Sequence, residues 1–329
     1  MRCILYVRDR TGNGRMDNDG MNSVLSRAIV TSLIVLVILT VCALIVEPAA
    51  YADEPSDGAV RVVTSILPQA YFVDKIGGAT VEVNVLVGPG QSPETYEPTP
   101  KQMVHLSRSD ILFTVGLPFE RALIGKITEM MPHLRIVETQ ANTPKELRSQ
   151  IGSHSYHDFD DPHDHGDLDP HIWLDPSLVK IQSRSICDAL VEAMPDKREF
   201  LEANYDAFVK ELDSVDAEVS RILESVRGRE LFVFHPAFGH FARAYGLKQI
   251  AIEQDGKEPG AGELAKLVER AETDGVSVIF VQQQFSTAAA SAVAEAIGAK
   301  VVTLDPLARD YSANMIKMAM IIAKSLSGR

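Results

Sequence analysis

The chain has 329 residues, of which 46% are hydrophobic and 23% charged, a composition typical of a globular protein of about two domains. Its formal net charge of -13 excludes a nucleic-acid binder, because neutralising phosphates requires an excess of Lys and Arg. Three cysteines are too few for a disulfide framework or for a zinc module built on cysteine.

An apolar segment near the N-terminus predicts export. Residues 28–46 carry no charge and follow Arg27, and the small residues Ala50 and Ala52 then form a pattern that signal peptidase cleaves. We therefore expect residues 1–52 to be a signal peptide and the mature protein to reach the periplasm. The segment is also long enough to span a bilayer, so an uncleaved membrane anchor is the alternative.

Short β-rich segments alternate with helical segments in both halves of the remaining chain, which predicts an α/β fold with mainly parallel sheets. The predicted strands of the first half are Arg61–Ile66, Val81–Val87, Ile111–Val115 and Arg135–Glu138. Those of the second half are Leu231–Phe234, Gln249–Ile252, Val276–Val281 and Val301–Leu304. The predicted helices include Lys101–Ser107, Pro236–Tyr245, Gly262–Ala271, Ser286–Ala296 and Ser312–Leu326. We therefore expect two lobes, each with a four-stranded sheet flanked by helices.

One long amphipathic helix separates the two halves. From Phe200 to Val226, apolar residues recur in alternating steps of four and three and so form one stripe. Pro195 suits the start of this helix and Gly228 its end. A coiled-coil dimer has the same periodicity, but α/β segments on both sides favour a helix that packs against both lobes. The predicted divisions are an N-terminal lobe (53–196), a linking helix (197–227) and a C-terminal lobe (228–329).

A polar stretch within the N-terminal lobe is rich in histidine. Residues 153–167 contain His154, His157, His163 and His165, with aspartates between them. Imidazole and carboxylate groups are the nitrogen and oxygen ligands that first-row divalent metals prefer, so we predict an auxiliary metal-binding loop. The alternative is a solvated acidic loop whose histidines have no common role.

Three further residues are candidate ligands because of where they stand. His171 precedes a predicted helix, and His235 and Asp305 each follow a predicted strand. Polar residues at the carboxyl ends of parallel strands line the crevice where α/β proteins bind ligands. Spacing alone does not join the three in one site, because a helix cap or a hydrogen-bonded core histidine produces the same pattern.

Four blocks of the chain, in order, resemble signature segments of the zinc- and manganese-type solute-binding proteins of ABC transporters. The first block, residues 88–100, reads GPGQSPETYEPTP, and the others are 169–176, 234–247 and 285–307. The resemblance covers essentially all of residues 60–329. It implies two α/β lobes tied by one long helix, with a metal ion held between them. It also implies capture of Zn²⁺, with Mn²⁺ or Fe²⁺ as the alternatives, and delivery to a membrane permease that works with an ATPase.

The resemblance also assigns metal ligands position by position. His171 and His235 match the family's second and third ligands, and Asp305 matches the carboxylate that completes the shell. The first ligand is normally a histidine after Ser-Pro, and this chain has Glu94 there. We therefore expect four protein ligands, Glu94, His171, His235 and Asp305. The alternative for Glu94 is a surface acid, with water or Glu97 in its place.

The expected ligands predict the metal preference of the site, its pH dependence and whether it can catalyse a reaction. An oxygen ligand in place of nitrogen makes the site more acceptable to Mn²⁺ or Fe²⁺, whereas the histidine-rich loop and the usual affinity order favour Zn²⁺. Affinity should weaken as the pH falls through about 6.5, where imidazoles become protonated. Four protein ligands would close the shell, so we expect no catalysis, with a zinc-dependent hydrolase as the alternative of another class.

Three further residues bear on the prediction. Asp169 and His240 are expected to orient the ligands. Gln282 is a second departure from the family, at a position where its members commonly have an acidic residue. We expect the protein to act as a monomer.

Overall fold

The computed structural model describes residues 58–148, 168–253, 261–273, 275–284 and 287–327. The predicted signal peptide lies outside these residues. So does the histidine-rich stretch, with His154, His157, His163 and His165. In the part of the chain that is described, every helix is too short or too polar to cross a membrane.

The N-terminal lobe is built on four strands, β1 (Val60–Ile66), β2 (Val81–Val87), β3 (Ile111–Thr114) and β4 (Arg135–Glu138). They form a parallel sheet with the strand order β2-β1-β3-β4. Its helices are α1 (Leu67–Gly77), α2 (Pro100–Leu106), α3 (Pro118–Met130), α4 (Lys145–Arg148) and α5 (Pro176–Ala193). Strand β3 is buried along its whole length, as expected for a central strand of a parallel sheet covered by helices.

The predicted linking helix is α6 (Arg198–Leu223), which continues into a 3-10 turn at Glu224–Val226. Its predicted apolar stripe is buried at Leu201, Phe208, Leu212, Val215, Val219 and Val226. These side chains share one hydrophobic cluster with Phe72 of the N-terminal lobe and Met315 of the C-terminal half, so the helix packs against both. Gly228 then takes a φ of +80°, a left-handed conformation that favours glycine, where the chain turns toward the second sheet.

The C-terminal lobe has the same architecture, with the strands β5 (Glu230–Val233), β6 (Lys248–Ala251), β7 (Val278–Gln282) and β8 (Lys300–Leu304). They form a parallel sheet with the strand order β6-β5-β7-β8. Its helices are α7 (Gly239–Ala244), α8 (Ala261–Thr273), α9 (Thr287–Ala296) and α10 (Tyr311–Leu326). The predicted fold class, two α/β lobes with four-stranded parallel sheets and one long helix, is confirmed. The lobe boundaries given above stay predictions.

Prolines precede two of the helices, and one of the two predicted starts was wrong by three residues. Pro195 begins a 3-10 turn that continues directly into α6 at Arg198. Pro236 lies in a tight turn in which the Ala237 N–H donates to the His235 carbonyl at 2.8 Å, and α7 starts only at Gly239. This turn after β5 fixes the backbone of His235 at the carboxyl end of the sheet.

Candidate metal centre

Three side chains from distant parts of the chain meet at one place in the structure. Glu94 lies beyond β2, on a 3-10 turn at Pro93–Thr95, and His235 follows β5. His171 immediately precedes a 3-10 turn at Ile172–Leu174. The ligand atoms of these three residues all lie within 4.8 Å of one another. Two of them stand beyond the carboxyl ends of parallel strands, the edge at which α/β proteins bind ligands.

One oxygen of Glu94 faces both imidazoles. Oε1 lies 3.2 Å from Nε2 of His235 and 3.7 Å from Nε2 of His171. Two ligands that are each about 2.05 Å from a zinc ion at the tetrahedral angle lie about 3.3 Å apart. The rings of the two histidines are inclined at 74°, with centroids 5.4 Å apart. The two oxygen–nitrogen distances therefore lie close to the spacing that a small tetrahedral ion requires.

The protonation states of Glu94, His171 and His235 depend on one another. Burial alone would lower the pKa of His171, but the Asp169 and Glu94 carboxylates outweigh burial and raise that pKa to about 9. Burial also opposes protonation of His235, yet the carboxylates of Glu253 and Glu94 raise its pKa. Burial would raise the pKa of Glu94, but the two histidines hold it well below its usual range. A divalent ion that binds below these histidine pKa values must displace protons.

His171 is held by the aspartate two residues before it. Oδ1 of Asp169 lies 2.7 Å from Nδ1 of His171 and also accepts the His171 backbone N–H at 2.9 Å. The ring nitrogen left facing Glu94 is therefore Nε2. Among metal-binding histidines, a carboxylate on the other ring nitrogen fixes the tautomer and the orientation of the ring.

His240 contacts Asp169. Burial lowers the pKa of His240, which favours the neutral ring. Its Nε2 lies 3.2 Å from the Asp169 carbonyl, and its Nδ1 lies 3.2 Å from the guanidinium of Arg243. Since a guanidinium only donates, Nδ1 accepts and Nε2 carries the proton that reaches Asp169. Both ring nitrogens of His240 are therefore engaged, and the residue supports Asp169.

Glu253, which was not among the predicted site residues, holds His235. Its Oε2 lies 3.1 Å from Nδ1 of His235, and its side chain is buried. The residue follows β6, the strand paired with β5, and its backbone N–H donates to the Phe234 carbonyl at 2.9 Å. An acid directly after a predicted strand was the signal that could have identified it.

Gln282 fixes the backbone of His235. Its Nε2 donates to the His235 carbonyl at 2.8 Å, and its Oε1 accepts the His235 N–H at 3.4 Å. A carboxylate has no N–H to donate to that carbonyl. The amide of Gln282 therefore makes a hydrogen bond to the His235 backbone that a carboxylate at this position could not make.

Asp305, the fourth expected ligand, does not join the cluster of three that the described residues form. Its Oδ1 accepts the side-chain amide of Gln284 and the backbone N–H of Leu307, both at 3.0 Å. Its ligand role stays a prediction. Glu97, the alternative to Glu94, is exposed.

Comparison with known proteins identifies the family. The family model described as "Zinc-uptake complex component A periplasmic" (ZnuA) matches residues 62–325. The chain belongs to this family. It is 30% identical over 262 residues to the high-affinity zinc uptake system protein ZnuA of Yersinia pestis, covering 75% of this chain and 82% of that protein.

Other relatives include a longer protein. The chain is 29% identical over 278 residues to the zinc-binding lipoprotein AdcA of Streptococcus pneumoniae. That match covers 83% of this chain but only 54% of AdcA, so this chain resembles about half of it. Like other relatives of this chain, AdcA is named for zinc binding, but its sequence extends well beyond the matched part.

Solved structures support the same assignment. A crystal structure of ZnuA matches with a TM-score of 0.73 and 38% identity, covering 81% of this chain and 98% of that one. A ZnuA deletion mutant with zinc bound matches with a TM-score of 0.74 and 38% identity, covering 82% and 99%. The family expected from the sequence motifs is confirmed, and it is a family of transport proteins, not of enzymes.

Proposed function

We propose that this protein captures a Zn²⁺ ion between its two lobes and delivers it to the permease of an ABC transporter for uptake. The supporting observation is the meeting of Glu94, His171 and His235 with donor atoms within 4.8 Å of one another. It occurs in a chain that belongs to a zinc-uptake family. Relatives named for zinc binding or zinc uptake, and a zinc-bound ZnuA mutant, support zinc as the ion.

The proposed donors are Nε2 of His171, Nε2 of His235 and Oε1 of Glu94. Two nitrogens and one oxygen at this spacing suit tetrahedral Zn²⁺, which keeps a fourth position. Asp305 is the proposed fourth ligand, and its carboxylate would have to shift toward the ion to fill that position. Mn²⁺ or Fe²⁺ remain the alternative ions, because the set contains a carboxylate.

We propose a carrier without catalytic activity. A hydrolytic zinc site needs a general base aimed at a metal-bound water. The buried carboxylates of Asp169 and Glu253 each lie against Nδ1 of a histidine, so they orient ligands. Neither of these two carboxylates is therefore placed to act as the general base of a zinc-dependent hydrolase.

The remaining parts of the proposal concern location and partners. The export signal expected at residues 1–52 and the periplasmic description of the family support a location outside the cytoplasm. The streptococcal relative is a lipoprotein, and membrane attachment of this chain is the alternative. We propose a monomer that meets a permease and its ATPase, with the histidine-rich stretch 153–167 as an auxiliary site that raises the local metal concentration.

Titration of the purified, metal-free protein with Zn²⁺ in the presence of a competing chelator tests this function. We expect one tight equivalent, and His171→Ala and His235→Ala should each abolish it. His105→Ala, which alters an exposed histidine of α2, is the matched control and should bind like the parent. Deleting residues 153–166 should remove weak extra equivalents and leave the tight one. Parental binding by either ligand variant would show that the assigned ligands are wrong.

A further inference from the structure

We infer that Ser92 sets the metal preference of the site by restricting Glu94 to a single donor oxygen. The inference rests on the proposed function, in which Glu94 is a ligand. Oγ of Ser92 donates to Oε2 of Glu94 at 2.7 Å. The other oxygen, Oε1, is the one that faces His171 and His235. One oxygen of the carboxylate therefore accepts a hydrogen bond from Ser92, and the other faces the proposed metal position.

The hydroxyl that engages Oε2 is itself held in place. Ser92 caps the turn Pro93–Thr95, where its Oγ also accepts the backbone N–H of Glu94 at 3.4 Å. Pro93 fixes its own φ and is buried. Directly after the turn, Tyr96 packs edge-on against Phe119 of α3, with ring centroids 4.9 Å apart. Because the turn is anchored at both ends, the carboxylate and its hydroxyl partner keep their relative orientation.

The number of donor oxygens distinguishes one metal from another. Zn²⁺ takes four ligands in a tetrahedron, and a carboxylate that offers one oxygen fits that arrangement. Mn²⁺ prefers six mainly oxygen ligands, so it gains more from a carboxylate that binds through both oxygens. The hydrogen bond from Ser92 occupies one lone pair of Oε2 and holds that oxygen in place, so binding through both oxygens would compete with a charge-assisted bond of the stronger kind. Ser92 therefore offsets the shift toward Mn²⁺ that a glutamate brings to the first ligand position.

The decisive experiment compares the dissociation constants for Zn²⁺ and for Mn²⁺ in the parent and in Ser92 variants. In Ser92→Ala the ratio of the Mn²⁺ constant to the Zn²⁺ constant should fall about tenfold, the scale of one charge-assisted hydrogen bond. Ser92→Thr keeps the hydroxyl and should retain the parental ratio. Ser107→Ala removes an exposed hydroxyl that donates to the Val104 carbonyl, and it serves as the control. An unchanged ratio in Ser92→Ala overturns the inference.

Crystal structures of the Mn²⁺-loaded proteins give a readout that mere loosening of the turn would not produce. The parent should coordinate Mn²⁺ through Oε1 of Glu94 alone, and Ser92→Ala through both oxygens. A parent with both oxygens on the ion overturns the inference. A parent that binds neither metal overturns the proposed function as well. A parent that binds Zn²⁺ tightly, with a ratio that Ser92→Ala does not move, overturns the inference alone.

Discussion

Oε2 of Glu253 lies 3.1 Å from Nδ1 of His235, and both side chains are buried beyond the carboxyl ends of adjacent parallel strands. Asp169 stands in the same relation to His171, with its Oδ1 2.7 Å from Nδ1. Each histidine thus carries a carboxylate on the nitrogen that faces away from Glu94. Since a ring nitrogen bound in this way fixes the tautomer, both Nε2 atoms are prepared to accept a cation.

Replacing Glu253 with Leu should weaken Zn²⁺ binding about 10- to 100-fold, the usual cost of losing a group that orients a metal ligand. Glu253→Gln should lose less, because its amide oxygen still accepts a hydrogen bond from Nδ1 of His235. Chelator competition measures both constants, and circular dichroism checks that the variants fold. Glu129→Leu alters an exposed glutamate of α3 and should match the parent. Parental affinity in Glu253→Leu would show that this carboxylate does not orient His235.

Trp173, the single tryptophan of the chain, should report metal binding. Its ring centroid lies 5.1 Å from that of His171, and its Nε1 donates to the Pro306 carbonyl at 2.9 Å. A divalent charge on His171 changes the electric field at the indole, so the fluorescence should change linearly with added Zn²⁺ up to one equivalent. His171→Ala should remove this change. Unchanged emission while calorimetry records tight binding would place the ion away from His171.

Zinc affinity should begin to fall at a higher pH than an ordinary histidine implies. The pKa of His171 is raised to about 9, so below that pH the ion displaces a proton when it binds. Affinity should therefore drop about tenfold per pH unit for each displaced proton as the pH falls, and chelator competition between about pH 6 and pH 8 measures the slope of affinity against pH.

The folding stability of the metal-free protein should depend on pH in the opposite direction to zinc affinity. The protonated form of His171 stabilises the fold below the unfolded pKa, and this stabilisation is lost as the pH rises through about 9.

Asp169→Asn is the matched variant for the pH dependence of zinc affinity. It removes the carboxylate that contributes most to the raised pKa of His171, yet its amide oxygen can still accept a hydrogen bond from Nδ1. The slope of zinc affinity against pH, measured between about pH 7 and pH 8, should therefore be shallower in the variant than in the parent. A parental slope that is already flat across this interval would contradict the raised pKa.

The strands and the long helix were predictable because their signals are local. A run such as Ile111–Thr114 is apolar throughout and buried throughout, and the stripe of α6 repeats with the period of a helix. Helix starts after proline were less predictable. At Pro236 the backbone first closes a tight turn, in which the Ala237 N–H donates to the His235 carbonyl, and proline suits such a turn as well as the first position of a helix.

The candidate site was predictable only in part, for a different physical reason. Glu94, His171 and His235 stand in motifs, and the structure brings them together. Glu253 belongs to none of the motifs recognised in the sequence, and its role depends on the pairing of β6 with β5. The partners of Asp305 also depend on tertiary packing, because Gln284 reaches it from the loop after the neighbouring strand β7.

Replacing Glu94 with His should raise the preference for Zn²⁺ over Mn²⁺, because a third nitrogen ligand suits zinc and removes the carboxylate that manganese favours. We expect the ratio of the Mn²⁺ constant to the Zn²⁺ constant to rise at least tenfold in competitive titration, the difference of about one ligand contact. The same variant also tests the role of Ser92. With no carboxylate to restrain, adding Ser92→Ala should leave the ratio of Glu94→His unchanged, so the two substitutions should be strongly non-additive. If their effects on the ratio simply add, Ser92 does not act through Glu94. If Glu94→His leaves the parental ratio unchanged, Glu94 is not a ligand at all.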